Sequence, residues 1–125
     1  MMNLPPLTEE TYWAILNDEI DDATVNQLAW HYLGYQYDAA TDQWKPDHVD
    51  AEWRDAYPDP PDFIESRPAT VKLTRSIPKE NKQLLKESLG FKGYSIDELV
   101  PRKTRRATIV NWLLSYQQQN EQSNG

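Results

Sequence analysis

The sequence contains no cysteine, only four glycines and no long apolar run. Without cysteine the chain can form neither a disulfide nor a thiolate metal site. The scattered glycines form no GxGxxG, GxxxxGK[ST] or GxSxG motif, which argues against a nucleotide-binding or hydrolytic enzyme and against a bound cofactor. No apolar run reaches the roughly 20 residues of a membrane span, and residues 1–10 lack the features of a secretory signal. These absences predict a cytoplasmic, non-enzymatic protein without a membrane anchor.

Few side chains are candidates for catalysis or metal binding. The two histidines, His31 and His48, are too few and too far apart in sequence to specify a metal site. The acidic residues 18–22 lack the alternating oxygen ligands and the glycine turn of a calcium loop, and helix capping explains them. The sequence therefore predicts no metal site.

Charge is distributed unevenly along the chain. The net charge of −7 combines −13 in residues 1–66, +7 in residues 67–106 and −1 in residues 107–125. A basic segment of this kind either pairs with the acidic half of its own chain or forms an exposed patch that attracts an acidic partner. The sequence alone leaves both interpretations open.

The acidic half predicts two helices and a small β-hairpin. Thr8 is a suitable N-cap for a helix that runs to about Asn17, and an aspartate in residues 21–22 caps a second helix that Gly34 ends. Tyr35 and Tyr37, with Trp44 after a turn, predict a hairpin with aromatic cross-strand pairs. Residues 46–68 hold five prolines among interspersed aromatics, which predicts an ordered loop wrapped on the surface.

The basic half and the C-terminus predict further helices. Residues 69–77 fit a strand or a short helix, and Pro68 favours the helix slightly. A helix follows Pro78 and ends at Gly90. Residues 95–98, "SIDE", have the spacing of a capping box around a single turn. A final helix of residues 104–116 is apolar over most of its circumference, which predicts that it is the central packing element.

Together these patterns predict a mainly α (α+β) fold. The expected architecture is a compact single domain, residues 1–117, of about five short helices with a small β-hairpin and a Pro-rich wrapped loop. Residues 118–125 are expected to be a disordered tail.

The stretch "PRKTRRATIVNWLLSY" places four cations immediately before the apolar part of the final helix. Cations at a helix N-terminus oppose the helix dipole, so an anionic group is expected nearby. That group is an acidic face of the same protein, an acidic partner or a phosphate. The negative charge of residues 1–66 repels a polyanion, which makes nucleic acid the weaker alternative.

Three long stretches carry a resemblance to a known family. They are "LTEETYWAILNDEIDDATVNQLAWHYLGYQYD", "EWRDAYPDPPDFIESRPATVKLTRSIPKENKQLLKESLGFKGY" and "PRKTRRATIVNWLLSY". Over residues 4–117 the chain resembles a family of uncharacterised cyanobacterial proteins with plastid relatives, domain of unknown function 1823. The resemblance implies an oxygenic-phototroph setting and an accessory or assembly factor of photosynthetic or carbon-fixing machinery. It carries no catalytic residue over to this chain.

The leading hypothesis is therefore a non-enzymatic interaction protein that docks an acidic protein partner. The candidate partner-binding residues are the basic strip Arg102, Lys103, Arg105 and Arg106, the possible neighbours Arg75, Lys72 and Lys79, and the aromatic anchors Trp53 and Tyr57. The alternative is a nucleic-acid-binding regulator, in which the first two helices and the hairpin form a helix-turn-helix-like unit and the basic strip contacts phosphate. A third hypothesis is an enzyme or ligand-binding domain with a site lined by Trp30, Tyr35, Tyr37 and Trp44. The partner's identity and the oligomeric state are not specified by the sequence.

Overall fold

The computed structural model describes the backbone of residues 4–124 and the side chains of residues 4–120. Within these residues the elements in chain order are α1 (Glu9–Leu16), α2 (Asp22–Leu33), β1 (Gln36–Asp38), β2 (Gln43–Lys45), α3 (Ala51–Ala56), α4 (Arg67–Ser76), α5 (Leu84–Leu89) and α6 (Pro101–Asn124), with 3₁₀ turns at Lys79–Asn81 and Ile96–Glu98. The prediction of a mainly helical domain with one small hairpin is confirmed.

The first two helices begin and end where the sequence predicts. The side chain of Thr8 caps α1, and the side chain of Asp21 caps α2. Gly34 ends α2 with φ at +112°, and a Cβ atom at this position would lie 2.5 Å from the carbonyl oxygen of His48. Glycine suits this turn for two reasons, its left-handed backbone and the close approach of a second chain segment.

Helix α6 is the central packing element, as its apolar circumference predicts. It packs against α1, α2, α4 and α5. Its fully buried aliphatic side chains, Ile109, Val110 and Leu113, meet Ile15 of α1 and other buried residues of the surrounding helices. The hydrophobic core therefore surrounds the middle of α6, and the polar N-terminal end of this helix lies at the edge of the core.

Helix α6 is longer than the sequence predicts. It begins at Pro101 and continues to Asn124, so the expected limits at residues 104 and 116 are wrong. Residue 125 and the side chains after residue 120 lie outside the described residues. The disorder of residues 118–125 stays a prediction.

The hairpin forms with the expected aromatic pair. Strands β1 and β2 are antiparallel, Tyr37 lies opposite Trp44, and the two ring centroids are 5.7 Å apart. Tyr35 is not part of the strand but is fully buried in the core. Trp30 of α2 packs on the hairpin, with its ring centroid 5.4 Å from that of Trp44.

The Pro-rich segment, residues 46–68, is ordered and wraps the surface, as predicted. Hydrogen bonds with side chains of α2 hold it in place. Asn26 accepts a hydrogen bond from the backbone N–H of Phe63 at 2.8 Å, and Trp30 donates from Nε1 to the carbonyl of Pro61 at 2.6 Å. The segment also contains the short helix α3, which the sequence does not predict because prolines are frequent in this segment.

Residues 79–89 form two short pieces, which corrects the prediction of one helix. The 3₁₀ turn Lys79–Asn81 comes first, and α5 begins only at Leu84. The buried side chain of Asn111 lies across the break, where it accepts from the N–H of Leu85 and donates to the carbonyl of Asn81, both at 3.1 Å. These bonds satisfy backbone groups that the interrupted helix leaves without internal partners.

Candidate docking surface

Two arginines of the predicted basic strip turn toward the acidic half of the chain. Arg102 and Arg106 lie one turn apart on α6, and both contact Asp18 and Asp22 at the junction of α1 and α2. The sequence left open whether this strip pairs internally or binds a partner. For these two residues the structure shows the internal pairing.

Arg102 donates hydrogen bonds to the carboxylates of both Asp18 and Asp22. Its Nη1 and Nη2 donate to the two oxygens of Asp18 at 2.8 and 2.6 Å, and its Nε donates to Asp22 at 2.9 Å. This bidentate contact holds the pKa of Asp18 below its ordinary value. Asp18 also has a left-handed backbone, with φ at +63°. The arginine thus secures a strained turn between α1 and α2.

Arg106 is fully buried, with 0% of its side chain exposed. Its Nη1 donates to Asp22 at 2.7 Å, its Nε donates to the carbonyl of Ile15 at 3.1 Å, and its Nη2 donates to the carbonyl of Ile20. A docked partner has no access to this guanidinium. The prediction that Arg106 contacts a partner is therefore wrong, because the protein's own backbone and Asp22 occupy its donors.

The other two cations of the strip lie at the surface of α6. Lys103 forms an ion pair of 3.5 Å with Glu98, and its Nζ lies 5.9 Å from the ring centroid of Tyr94. Arg105 is half-buried and donates from Nη1 to the carbonyl of Ile64 at 2.8 Å. Only Arg105 of this pair is oriented toward α4.

Helix α4 covers residues 69–77 almost completely, so the preference for a helix there is confirmed. The side chain of Ser66 caps the helix, and Pro68 occupies its first turn. Ala69 and Leu73 are fully buried. Burial of this side directs the opposite side of α4 to solvent.

The solvent side of α4 carries cations at helical spacing. Arg67, Val71 and Arg75 are separated by four residues each, so they lie along one line of the helix. Grooves flank this line on both sides, with volumes of about 570 and 530 Å³. Arg67 and Arg75 contribute to both grooves, Lys72 to the larger one and Arg105 to the smaller one. We call Arg67, Lys72 and Arg75 of α4, together with Arg105 of α6, the α4 basic face.

The α4 basic face has little internal neutralisation. Among the described residues, neither Arg67 nor Arg75 forms an ion pair, whereas Lys72 contacts the carboxylate of Glu52 at 3.7 Å. The glutamate is the one acidic residue in the two linings, and it borders only the larger groove. Two arginines without carboxylate partners on one helix side provide an attractive surface for an anion.

The predicted aromatic anchors are less accessible than expected. Trp53 is only 7% exposed and packs in the core against Phe63, with the Nζ of Lys72 5.0 Å from its ring centroid. Tyr57 is half-buried, and its carbonyl accepts from the hydroxyl of Tyr35. Trp53 is therefore mainly a core residue, but it also borders the larger groove, so its role as a docking anchor stays a prediction. Lys79 is exposed but does not contribute to either groove.

The aromatic residues proposed for a ligand site do not surround one cavity. Tyr35 is buried, its hydroxyl donates to the carbonyl of Tyr57 at 2.6 Å, and burial raises the pKa of this tyrosine to about 12. Tyr37 and Trp44 do border a cavity of about 490 Å³, together with Tyr32. Neither Trp30 nor Tyr35 lines that cavity, so only two of the four predicted residues border it.

Sequence reasoning missed Arg67 and the neighbouring aliphatic residues Leu99 and Val100, which line the smaller groove. The four-residue spacing of Arg67, Val71 and Arg75 was a signal for a shared helix face. No sequence signal placed Leu99 and Val100 beside α4, because that contact joins segments distant along the chain.

Comparisons with known proteins place the chain in a family. The model of the family described as "Domain of unknown function (DUF1823)" matches residues 6–118. A structure solved by solution NMR is 62% identical to the chain, covers 96% of it and 99% of its own length, and superposes with a TM-score of 0.82. No curated protein matches the chain. In residues 4–124 we find no helix with the length and apolar content that crossing a membrane requires.

Proposed function

This chain belongs to the family of domain of unknown function 1823, and we propose that it is a non-enzymatic interaction protein that docks an acidic protein through the α4 basic face. The observation that carries the proposal is the absence of any ion pair, within the described residues, at Arg67 and Arg75. Arginines are frequent among the residues that dominate binding energy. An accessory role in photosynthetic or carbon-fixing machinery, which the family resemblance implies, would place the acidic partner in that machinery.

Some cations of the basic segment are paired internally and others are not, and this difference supports a protein partner over nucleic acid. Arg102 and Arg106 are neutralised by Asp18 and Asp22, so two of the four cations in the predicted phosphate-binding strip are already paired. Helices α1 and α2 of the helix-turn-helix alternative belong to the segment with a net charge of −13, residues 1–66. A polyanion would be repelled by this segment, whereas an acidic protein can approach from the α4 side alone.

The test is a quantitative pull-down from native lysate with two charge-reversed variants. Arg67→Glu/Arg75→Glu changes the α4 basic face, and Lys86→Glu/Lys92→Glu applies the same change in charge to exposed lysines outside it. We expect one defined acidic protein to bind the wild type and the lysine variant, and to be lost with the arginine variant. Its binding, repeated with purified protein, should weaken as salt is raised.

Two results would overturn the proposal. One is a partner that is retained equally by the arginine variant and the wild type. The other is a preference for nucleic acid in the captured material, with an affinity that falls steeply with salt.

A further inference from the structure

In residues 4–120 the large apolar side chains that are well exposed to solvent are concentrated at one place. Among the described residues, the most exposed large hydrophobic side chains are Ile96, Leu99 and Val100, with 88%, 55% and 43% of their surfaces accessible. All three belong to the connection that leads into α6. Single exposed aliphatic residues are ordinary, but a cluster beside a concave surface indicates an interaction site.

Leu99 and Val100 border the smaller of the two grooves, which we call the α4–α6 groove. Its other lining residues include Val71, Thr70, Thr74 and Thr104, which contribute aliphatic carbon and methyl groups. The cations Arg67, Arg75 and Arg105 complete the lining, and no Asp or Glu is among these residues. The groove is therefore an aliphatic surface bordered by positive charge.

We infer that the α4–α6 groove binds an acidic amphipathic helix of the partner protein. Aliphatic side chains of that helix, spaced by three or four residues, would pack on Val71, Leu99 and Val100. Carboxylates on its flanks would face Arg67, Arg75 and Arg105. This inference rests on the proposed docking function and specifies which chemistry of partner the α4 basic face recognises.

Charge and shape together select this occupant. A small carboxylate ligand would use the arginines but would leave Leu99 and Val100 exposed to water. The groove is shallow and open, and its volume of about 530 Å³ has room for several side chains from the side of a helix that lies along it. An amphipathic helix supplies both apolar anchors and flanking charges from one short segment, as in other helix-in-groove complexes.

The experiment uses designed peptides as probes, each about 16 residues long, or roughly four helical turns. The first peptide has a leucine stripe at helical spacing flanked by glutamates. The second has the same composition in an order that breaks the stripe, and the third replaces the glutamates by glutamine. Binding to the full chain is measured by NMR titration, which also locates the affected backbone amides. We expect the first peptide to bind roughly tenfold more tightly than either control, with shifts at Val71, Leu99 and Thr104.

Protein variants separate the groove from general hydrophobicity. Leu99→Ser/Val100→Ser removes the aliphatic border, and Ile96→Ser removes an exposed aliphatic residue that does not line the groove. The double variant should weaken the first peptide by about tenfold, and Ile96→Ser should have little effect. All three positions are exposed, so the folded spectrum is expected to persist in both variants.

The outcomes distinguish this inference from the proposed function. Equal binding of the first and second peptides, or equal effects of both serine variants, overturns the amphipathic helix but leaves acidic docking intact. Self-association that Leu99→Ser/Val100→Ser abolishes, without peptide binding, overturns the inference in favour of a second copy of the chain. Failure of every peptide to bind also overturns it, and the pull-down with Arg67→Glu/Arg75→Glu then decides the proposed function separately.

Discussion

Arg106 of α6 donates from Nη1 to a carboxylate oxygen of Asp22, the first residue of α2, at 2.7 Å. The arginine side chain is completely buried, whereas the aspartate side chain is 35% exposed. The same guanidinium also donates to the carbonyls of Ile15 and Ile20. One buried cation thus attaches the central helix to the end of α1, to the turn that follows and to the start of α2.

Replacement of Arg106 by alanine should lower the free energy of unfolding by about 3 kcal/mol, because the carbonyls of Ile15 and Ile20 each lose a donor, Asp22 loses its buried partner and a cavity opens in the core. Arg102→Ala is the matched control on the next turn of α6. Its side chain is 41% exposed, and solvent screens its ion pairs, so the expected cost is below about 1 kcal/mol. Urea denaturation followed by tryptophan fluorescence measures both values. Equal midpoints for the two variants would contradict the assignment of Arg106 to the core.

Asp18 should make the protein sensitive to acid. The hydrogen bond from Arg102 lowers the pKa of this carboxyl from its ordinary value of 3.8. A carboxyl with a lowered folded-state pKa contributes stability above its unfolded-state pKa, and this contribution is lost as the pH falls through the folded-state value. Between about pH 5 and pH 2, the stability of the wild type should therefore fall more steeply than that of Asp18→Asn.

Urea denaturation at a series of pH values tests this dependence. Other carboxyls with lowered pKa values, such as Asp21 and Glu98, titrate in both proteins, so the difference between the two curves isolates Asp18. Arg102→Ala should reproduce the shallower slope, because it removes the hydrogen bond that lowers the pKa. Parallel curves for the wild type and Asp18→Asn would contradict the prediction, because they would show that the pKa of this carboxyl does not differ between the folded and unfolded states.

Local signals predicted the elements whose ends depend on nearby residues. The caps at Thr8 and Asp21 and the glycine stop at Gly34 act within one turn of the chain, so the sequence defines both helices closely. The break before α5 is different, because it depends on Asn111, a residue near the middle of another helix. Periodicity within residues 79–89 contains no information about that partner.

The candidate site was predictable in its charge but not in its location. The distribution of charge identifies residues 67–106 as basic and is compatible both with internal pairing and with docking of a partner. The structure shows that each alternative applies to different residues. Arg106 pairs with Asp22 inside the protein, whereas Arg75 has no ion pair within the described residues. Which arginine meets an aspartate depends on how α6 packs against α1 and α2, and this packing is set by the apolar core.

Asn111→Ala should destabilise the protein by about 2 kcal/mol, because the N–H of Leu85 and the carbonyl of Asn81 lose their side-chain partners in a largely buried environment. Asn120→Ala on the exposed surface of the same helix is the control, with an expected change within about 0.5 kcal/mol. Hydrogen exchange provides a second measurement, since the amide of Leu85 should lose protection in Asn111→Ala alone. Unchanged protection there would contradict the role of Asn111 as the bridge across the break.

Gly34 and Gly90 both end helices in the left-handed conformation, with φ at +112° and +72°, but their surroundings differ. A Cβ atom on residue 90 would meet no atom within 4 Å, whereas one on residue 34 would lie 2.5 Å from the backbone oxygen of His48. Gly90→Ala should therefore cost about 1 kcal/mol, the strain of a left-handed alanine. Gly34→Ala adds a clash with backbone, and we expect it to cost at least about 1 kcal/mol more than the control.

Thermal and urea unfolding of the two alanine variants measure this difference. Because both substitutions restrict the unfolded chain in the same way, the comparison removes the unfolded-state contribution that would obscure either variant alone. The clash in Gly34→Ala should also displace the segment around His48 and Val49, and thereby broaden or shift the NMR signals of the adjacent hairpin. Equal stabilities would mean that this segment moves away at little cost, and would contradict the close contact between the end of α2 and the start of the Pro-rich loop.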